Sequence, residues 1–158
     1  MDQLNITKVG VIRVDDTGFR IQLDPACTPA LAGLEGFGHI QVLWWFSGCD
    51  DTRSRAHLQE DSPYKKGPAV LGSFATRSPR RPNPVALSCA GVTYIDAEQG
   101  IVGLTYIDAE DGSPVLDIKP YTPSLDRVEQ PQVPAWCAHW PGNVETAGDF
   151  DWGAEFNF

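Results

Sequence analysis

The stretch "ITKVGVIRVDDTGFRIQLD", residues 6–24, decides the fold class. Its second half alternates strictly, with Phe19, Ile21 and Leu23 on one side and Arg20 and Gln22 on the other. A period of two puts those side chains on opposite faces of a half-buried strand. The first half alternates more loosely, and "DDTG" between the two halves supplies the Asp and Gly that tight turns use. The stretch reads as two strands folded back on one another.

The same reading extends outward. "CTPALAGLEGFG" carries helix formers, but Pro29 and three glycines limit it to a short helical turn followed by a loop. "HIQVLWWFSG" is too continuously apolar to have one wet face, which predicts a central strand. Residues 49–69 form a charged connection, "AVLGSFAT" reads as the next strand, and "VALSCAGVTYID" returns as another. "TYIDAEQG" at 93–100 is echoed by "TYIDAEDG" at 105–112, which predicts two successive hairpin arms rather than a solenoid. "PVLDIKPY" follows. Beyond Pro123 the chain is rich in Pro, Trp and acidic residues, an irregular tail expected to dock through Trp136, Trp140 and Trp152. Many short strands with regular turn signals make the chain mainly β, a sandwich or a barrel.

At 158 residues the chain is expected to form one core without staples. No 18-residue apolar run is present, and "MDQLNITKVG" has neither a basic start nor an apolar stretch. A cytoplasmic protein with reduced thiols is therefore expected. Cys27, Cys49, Cys89 and Cys137 form no C-x-x-C pair. Cys49, His57, Cys137 and His139 are four residue types that bind zinc, but their spacing matches no zinc motif, so no metal is assigned. No phosphate-binding P-loop, dinucleotide fingerprint or nucleophile elbow occurs.

The net charge is −9, yet residues 53–81 hold Arg53, Arg55, Lys65, Lys66, Arg77, Arg80 and Arg81 against Glu60 and Asp61, a local net of +5. The densest part is "SFATRSPRRPNPVALS", residues 73–88. Pro79, Pro82 and Pro84 fix φ and restrict the residues before them, so the loop presents its side chains on a stiff frame. Arg is suited to carboxylate and phosphate through its planar fork of donors. A basic patch on an acidic protein marks an anionic ligand. In "DAEDGSPVLDIKPY", residues 108–121, Asp108, Glu110 and Asp111 crowd one turn, where like charges repel unless a cation or hydroxyl groups receive them. Asp117, Lys119 and Tyr121 then alternate along one strand face as candidate catalytic groups. A cationic wall and an anionic wall together suit a ligand carrying both signs.

"GLEGFGHI", "FATRSPRRPNPVALS" and "DGSPVLDIKPY" resemble, in order, the signature blocks of the TsaA-like (TrmO) family, from about Gly33 to Tyr121. Its members use S-adenosylmethionine to methylate N6 of threonylcarbamoyl-adenosine beside the tRNA anticodon. The resemblance implies a small antiparallel β-barrel over residues 1–125, with short helical turns, and an acidic, Trp-rich extension over 126–158 packed on the same domain or a dimer partner. It also implies a homodimer with the cofactor site near the subunit contact, and tRNA as partner. Carried onto this sequence, the cofactor contacts are Arg77, Leu87, and the run Asp108, Ala109, Glu110 and Asp111. Ser47 and Gly48, at the positions where the family usually has Phe-His, are expected to contact the cofactor as well. Arg80, Arg81 and Asn83 are expected to hold substrate. The family's P-R-Q element has no counterpart in "DDTGFRIQLDPACTPA", and the separate C-terminal domain of many bacterial members corresponds here only to the tail. A small-molecule acceptor, or a binding module without catalysis, is the alternative expectation.

Overall fold

The computed structural model describes residues 4–158. Six strands close into an antiparallel barrel: β1 (Gly10–Asp15), β2 (Gly18–Leu23), β3 (His39–Trp45), β6 (Val85–Asp96), β7 (Ile101–Leu104) and β8 (Pro114–Pro120). Around the barrel they run β1, β2, β7, β6, β3, β8 and back to β1. Two short strands, β4 (Gln59–Asp61) and β5 (Val70–Gly72), pair separately as an inserted hairpin. The contact that closes the ring is short, Gly10 and Val11 against Val115 and Pro114, and the Val85–Gly91 half of β6 pairs with β3 alone.

The opening stretch forms the hairpin it predicts, with Ile12 opposite Ile21 and Asp15 opposite Gly18. Asp15 accepts from Thr17 and pairs with Arg20 at 2.7 Å, closing the turn. The link between β1 and β2 is therefore only Asp16 and Thr17, which leaves no room there for an additional element such as P-R-Q. β3 is central as expected, pairing with β6 on one side and β8 on the other. Its Ile40, Val42 and Trp44 point inward and join Ile12, Ile21, Val102 and Val115 in the core. Leu31, from a 3-10 turn at Pro25–Leu31, and Ile107, from the β7–β8 connection, are both 2% exposed and join the same core. Gly103 admits Tyr94 across the strand pair: a Cβ there would sit 2.2 Å from the ring. The β6 irregularity between Val92 and Tyr94 falls at the same place.

Two expectations are corrected. "AVLGSFAT" does not join the barrel: only Val70–Gly72 is extended, and it pairs with Gln59–Asp61 within the region expected to be a plain connection. Ser73–Ala75 then turns as a 3-10 segment. The second copy of the repeat is not a hairpin arm. "TYID" at 93–96 ends β6, whereas β7 ends at Leu104, the Thr105 N–H makes a last bond to the Gly91 carbonyl at 2.9 Å, and the chain then crosses to the far strand β8. The copies share only their end: Gly100 and Gly112 have φ of +66° and +82°, a backbone shape that favours glycine. Near-identical local sequence takes different structure: Ile107 is buried in the core from the connection, whereas Ile95 packs against it partly exposed from within β6.

The tail holds only short turns, at Pro123–Asp126, Ala135–Cys137, Val144–Ala147 and Trp152–Ala154. Trp136, Trp140 and Trp152 do dock, in one aromatic cluster with Tyr64, Phe150 and Phe156. No helix is long and apolar enough to cross a membrane among the described residues.

Candidate active site

The outer face of β6, β3 and β8 carries the first group of candidates. Because Val42 and Trp44 face the core, Leu43 faces out, and it is paired with Leu87 on one side and Asp117 on the other. Leu87, Leu43 and Asp117 thus lie in one row across three strands, and Gln41 with Cys89 and Lys119 forms the next. With neighbouring strands about 4.8 Å apart, Leu87 and Asp117 are about 10 Å from each other. Leu87 is 46% exposed, an apolar side chain open to solvent. Asp117 pairs with Lys119 at 2.5 Å and accepts from the Ile118 N–H at 2.9 Å. Tyr121 lies just past β8, with its ring edge-on to His39 at 6.3 Å.

The arginine loop, residues 76–84, comes to this face. Arg77 is exposed and donates from Nη1 to the Leu87 carbonyl at 3.0 Å, so the two positions carried over as cofactor contacts meet. Its other guanidinium N–H groups make no hydrogen bond or ion pair among the described residues. Arg81 turns inward and donates to the carbonyls of Thr76, Ser78 and Ser73 at 3.3 to 3.4 Å, stapling the loop to itself. Arg80 is about half exposed and pairs with Glu60 at 2.9 Å. Asn83 accepts from Arg55 at 3.4 Å; Arg55 also pairs with Asp50 at 2.7 Å and lies 5.8 Å from the Trp45 ring centre. Trp45 in turn donates to Asp50 at 3.1 Å. Arg55 and Trp45 hold the Asp50 carboxyl below its ordinary pKa. This cluster anchors the exposed Ser47–Gly48 turn beside the arginine loop.

Sequence reasoning missed Glu60. It is largely buried and accepts from the Ser78 hydroxyl at 2.7 Å as well as pairing with Arg80. His57 Nε2 lies 3.0 Å from it, off-line for a hydrogen bond, so this contact is an ion pair when the ring is protonated. Burial pulls the Glu60 carboxyl up, but Ser78, His57 and Arg80 outweigh burial and leave it below the ordinary glutamate pKa. A glutamate in a charged connection gives no periodic signal, so only the fold shows that it grips the loop.

The acidic turn lies on the β7–β8 crossing. Asp108 and Glu110 are exposed, while Asp111 accepts from the Val14 N–H at 2.9 Å and meets Arg13 at 3.5 Å. Ala109 packs against the core. Burial, then the nearby Asp108 charge, raises the Tyr106 pKa. No hydrogen bond or ion pair among the described residues joins residues 108–111 to the 77–87 segment. The zinc-type residues do not gather either. His139 pairs with Glu155 at 2.9 Å, His57 sits on Glu60, and no three potential ligands converge among the described residues.

Fold and site together define a small closed-barrel protein with a stiffened arginine loop laid over one outer face and an acidic loop across its end. The chain belongs to the family described as the tRNA-methyltransferase O N-terminal domain, whose profile matches residues 10–127. A rat tRNA (adenine(37)-N6)-methyltransferase is 40% identical over 97 residues, covering 61% of this chain and 21% of the relative. An S-adenosyl-L-methionine-binding protein of Archaeoglobus fulgidus is 37% identical over 118 residues, covering 75% and 79%. The crystal structure of TrmO from Pseudomonas aeruginosa superposes with a TM-score of 0.66 at 27% identity, covering 85% of this chain and 62% of that one. The chain thus spans about a fifth of the rat relative and under two thirds of the solved TrmO chain.

Proposed function

We propose that this chain is an S-adenosylmethionine-dependent methyltransferase acting on N6 of threonylcarbamoyl-adenosine in tRNA. Membership of the family and the activities for which its relatives are named support the reading, and the observation that carries it is the meeting of Arg77 with Leu87. The residues present suit the cofactor. Arg77 offers free N–H groups to a carboxylate, and the exposed Asp108 and Glu110 offer acceptors to an ammonium or to ribose hydroxyls. Asp111 is already engaged by Val14 and Arg13 and serves to shape that turn.

Bound S-adenosylmethionine supplies an electrophilic sulfonium methyl. The protein's part is to align the acceptor nitrogen and exclude water. Arg77 and Leu87 form one wall for this, and the Ser47–Gly48 turn rims it. Asp117, paired with Lys119, is the candidate to take the acceptor's proton at a carboxylate oxygen. Lys119 keeps that carboxylate in place, and Tyr121 borders the same face.

No hydrogen bond or ion pair joins the arginine wall to the acidic wall among the described residues, and Leu87 and Leu43 leave an apolar outer face. Both features support a homodimer in which a second copy completes the site. Arg80 and Asn83, with Arg53, Lys65 and Lys66, supply the surface for tRNA phosphates. The net charge of −9, and the engagement of Arg81 within its own loop, favour a second reading in which the acceptor is a small anionic molecule. Equilibrium titration with S-adenosylmethionine, beside sedimentation of the same sample, tests the first step. Cofactor binding by a dimer supports the proposal, and no binding at millimolar cofactor defeats it.

A further inference from the structure

We infer that the C-terminal segment, residues 126–158, is an in-chain clamp on the arginine loop, and that Tyr64 is the positioning residue through which it acts.

The contacts run in an unbroken series. The tail docks on the turn of the inserted hairpin: Tyr64 bridges Phe156, Lys65 N–H donates to the Glu155 carbonyl at 2.9 Å, and Asn157 N–H donates to the Pro63 carbonyl at 3.2 Å. The Tyr64 ring stacks on Trp136 at 5.2 Å and meets Trp140 edge-on at 5.1 Å and Phe156 at 5.5 Å. Glu155, 7% exposed, locks the tail side by accepting from Trp140 at 3.2 Å and pairing with His139 at 2.9 Å. At the same turn Ser62 has φ of +43°, a left-handed shape that a serine takes at a cost. The Asn157 amide donates to the Ser62 carbonyl at 2.7 Å and so holds that shape from the tail.

From the turn, β4 and β5 carry the constraint to their open end. There Glu60 holds Ser78 and Arg80, the Ser73 hydroxyl donates to the His57 carbonyl at 2.9 Å, and the Ser73 N–H donates to the Leu58 carbonyl at 2.9 Å. These are the two ends of the segment that presents Arg77 to Leu87. The hairpin has no barrel partner among its strand pairings, so its orientation depends on what grips it at either end. Burial raises the Tyr64 pKa, and the Arg77 charge offsets part of that rise.

The inference rests on the cofactor reading for its functional consequence but not for its physical content, and the test separates the two. Hydrogen exchange is followed in ligand-free wild type, Tyr64→Ala and Tyr64→Phe, alongside cofactor titration. Tyr64→Ala is expected to speed exchange in residues 73–84 while amides of β1, β2 and β7 stay protected, and to weaken cofactor binding by roughly 2- to 30-fold. Tyr64→Phe keeps the ring contacts and is expected to restore both. Coupling is reciprocal, so cofactor added to wild type should also slow exchange in residues 135–157. Unchanged exchange in residues 73–84 of Tyr64→Ala overturns the clamp. So does faster exchange spread evenly over the barrel, which would make Tyr64 a contributor to stability alone. If wild type binds no cofactor, the function proposed above fails, and the exchange comparison still decides the clamp.

Discussion

Arg77 donates to the carbonyl of Leu87, 3.0 Å away, so a loop residue and a barrel-strand residue ten positions on are fixed as one surface. That contact uses one guanidinium nitrogen and leaves the rest of the fork for a ligand. Arg77→Ala should cost about 1.5–3 kcal/mol of cofactor binding, or about 10- to 150-fold in Kd. Arg77→Lys should recover little, because one ammonium on a flexible stem cannot hold the carbonyl and a carboxylate in fixed geometry. Equal cofactor affinity in all three proteins, measured calorimetrically, would remove Arg77 from the site.

The two neighbouring arginines should part company. Arg80 has an exposed face and Arg81 is bound to three carbonyls of its own loop. If Arg53, Lys65, Lys66 and Arg80 meet about four phosphates, log K for tRNA should fall with log salt at a slope on the order of −2.8 to −3.6. Arg80→Gln should make that slope shallower by about one unit or less, with only a small loss of stability because its pair with Glu60 is about half exposed. Arg81→Gln should instead lower the urea midpoint, through loss of about 1.5–3 kcal/mol of charged hydrogen bonding. A shallow slope in wild type would favour the small-molecule acceptor.

The tail should loosen in acid. His139 first, then Trp140 and the nearby Lys66 charge, hold the Glu155 carboxyl below its ordinary value against the upward pull of burial. A carboxylate depressed in the folded state binds fewer protons there than when unfolded. Its stabilisation is therefore complete above the unfolded pKa, about 4.3, and declines as pH falls through the lower folded value. Tryptophan fluorescence of the tail should change over that window. Glu155→Gln should flatten the change at the cost of a less stable tail at neutral pH. An acid transition identical in Glu155→Gln would assign it to another carboxylate.

Period and turn chemistry made the barrel legible wherever local preference and packing agree. The β1–β2 hairpin and the central β3 follow from alternation and from a continuous apolar run, because both patterns state directly which faces are buried. The second "TYIDAE" copy misled because its local sequence repeats that of a strand end, while its place in the fold is a crossing whose Ile107 enters the core. "AVLGSFAT" misled because a strand in an inserted hairpin has the same composition as one in the barrel. At the site, Arg77 and Leu87 came from the family blocks and the fold brought them together. Glu60 and Tyr64 were invisible, since their roles arise from contacts between segments far apart in sequence.

The most direct test of the account is methyl transfer itself. Purified protein is incubated with isotopically labelled S-adenosylmethionine and with tRNA from a strain lacking the activity, and the digested nucleosides are read by mass spectrometry. Labelled methyl on threonylcarbamoyl-adenosine, reduced in Arg77→Ala at sub-saturating cofactor, is the result the account predicts. Unlabelled tRNA nucleosides from a sample shown to bind the cofactor would contradict it.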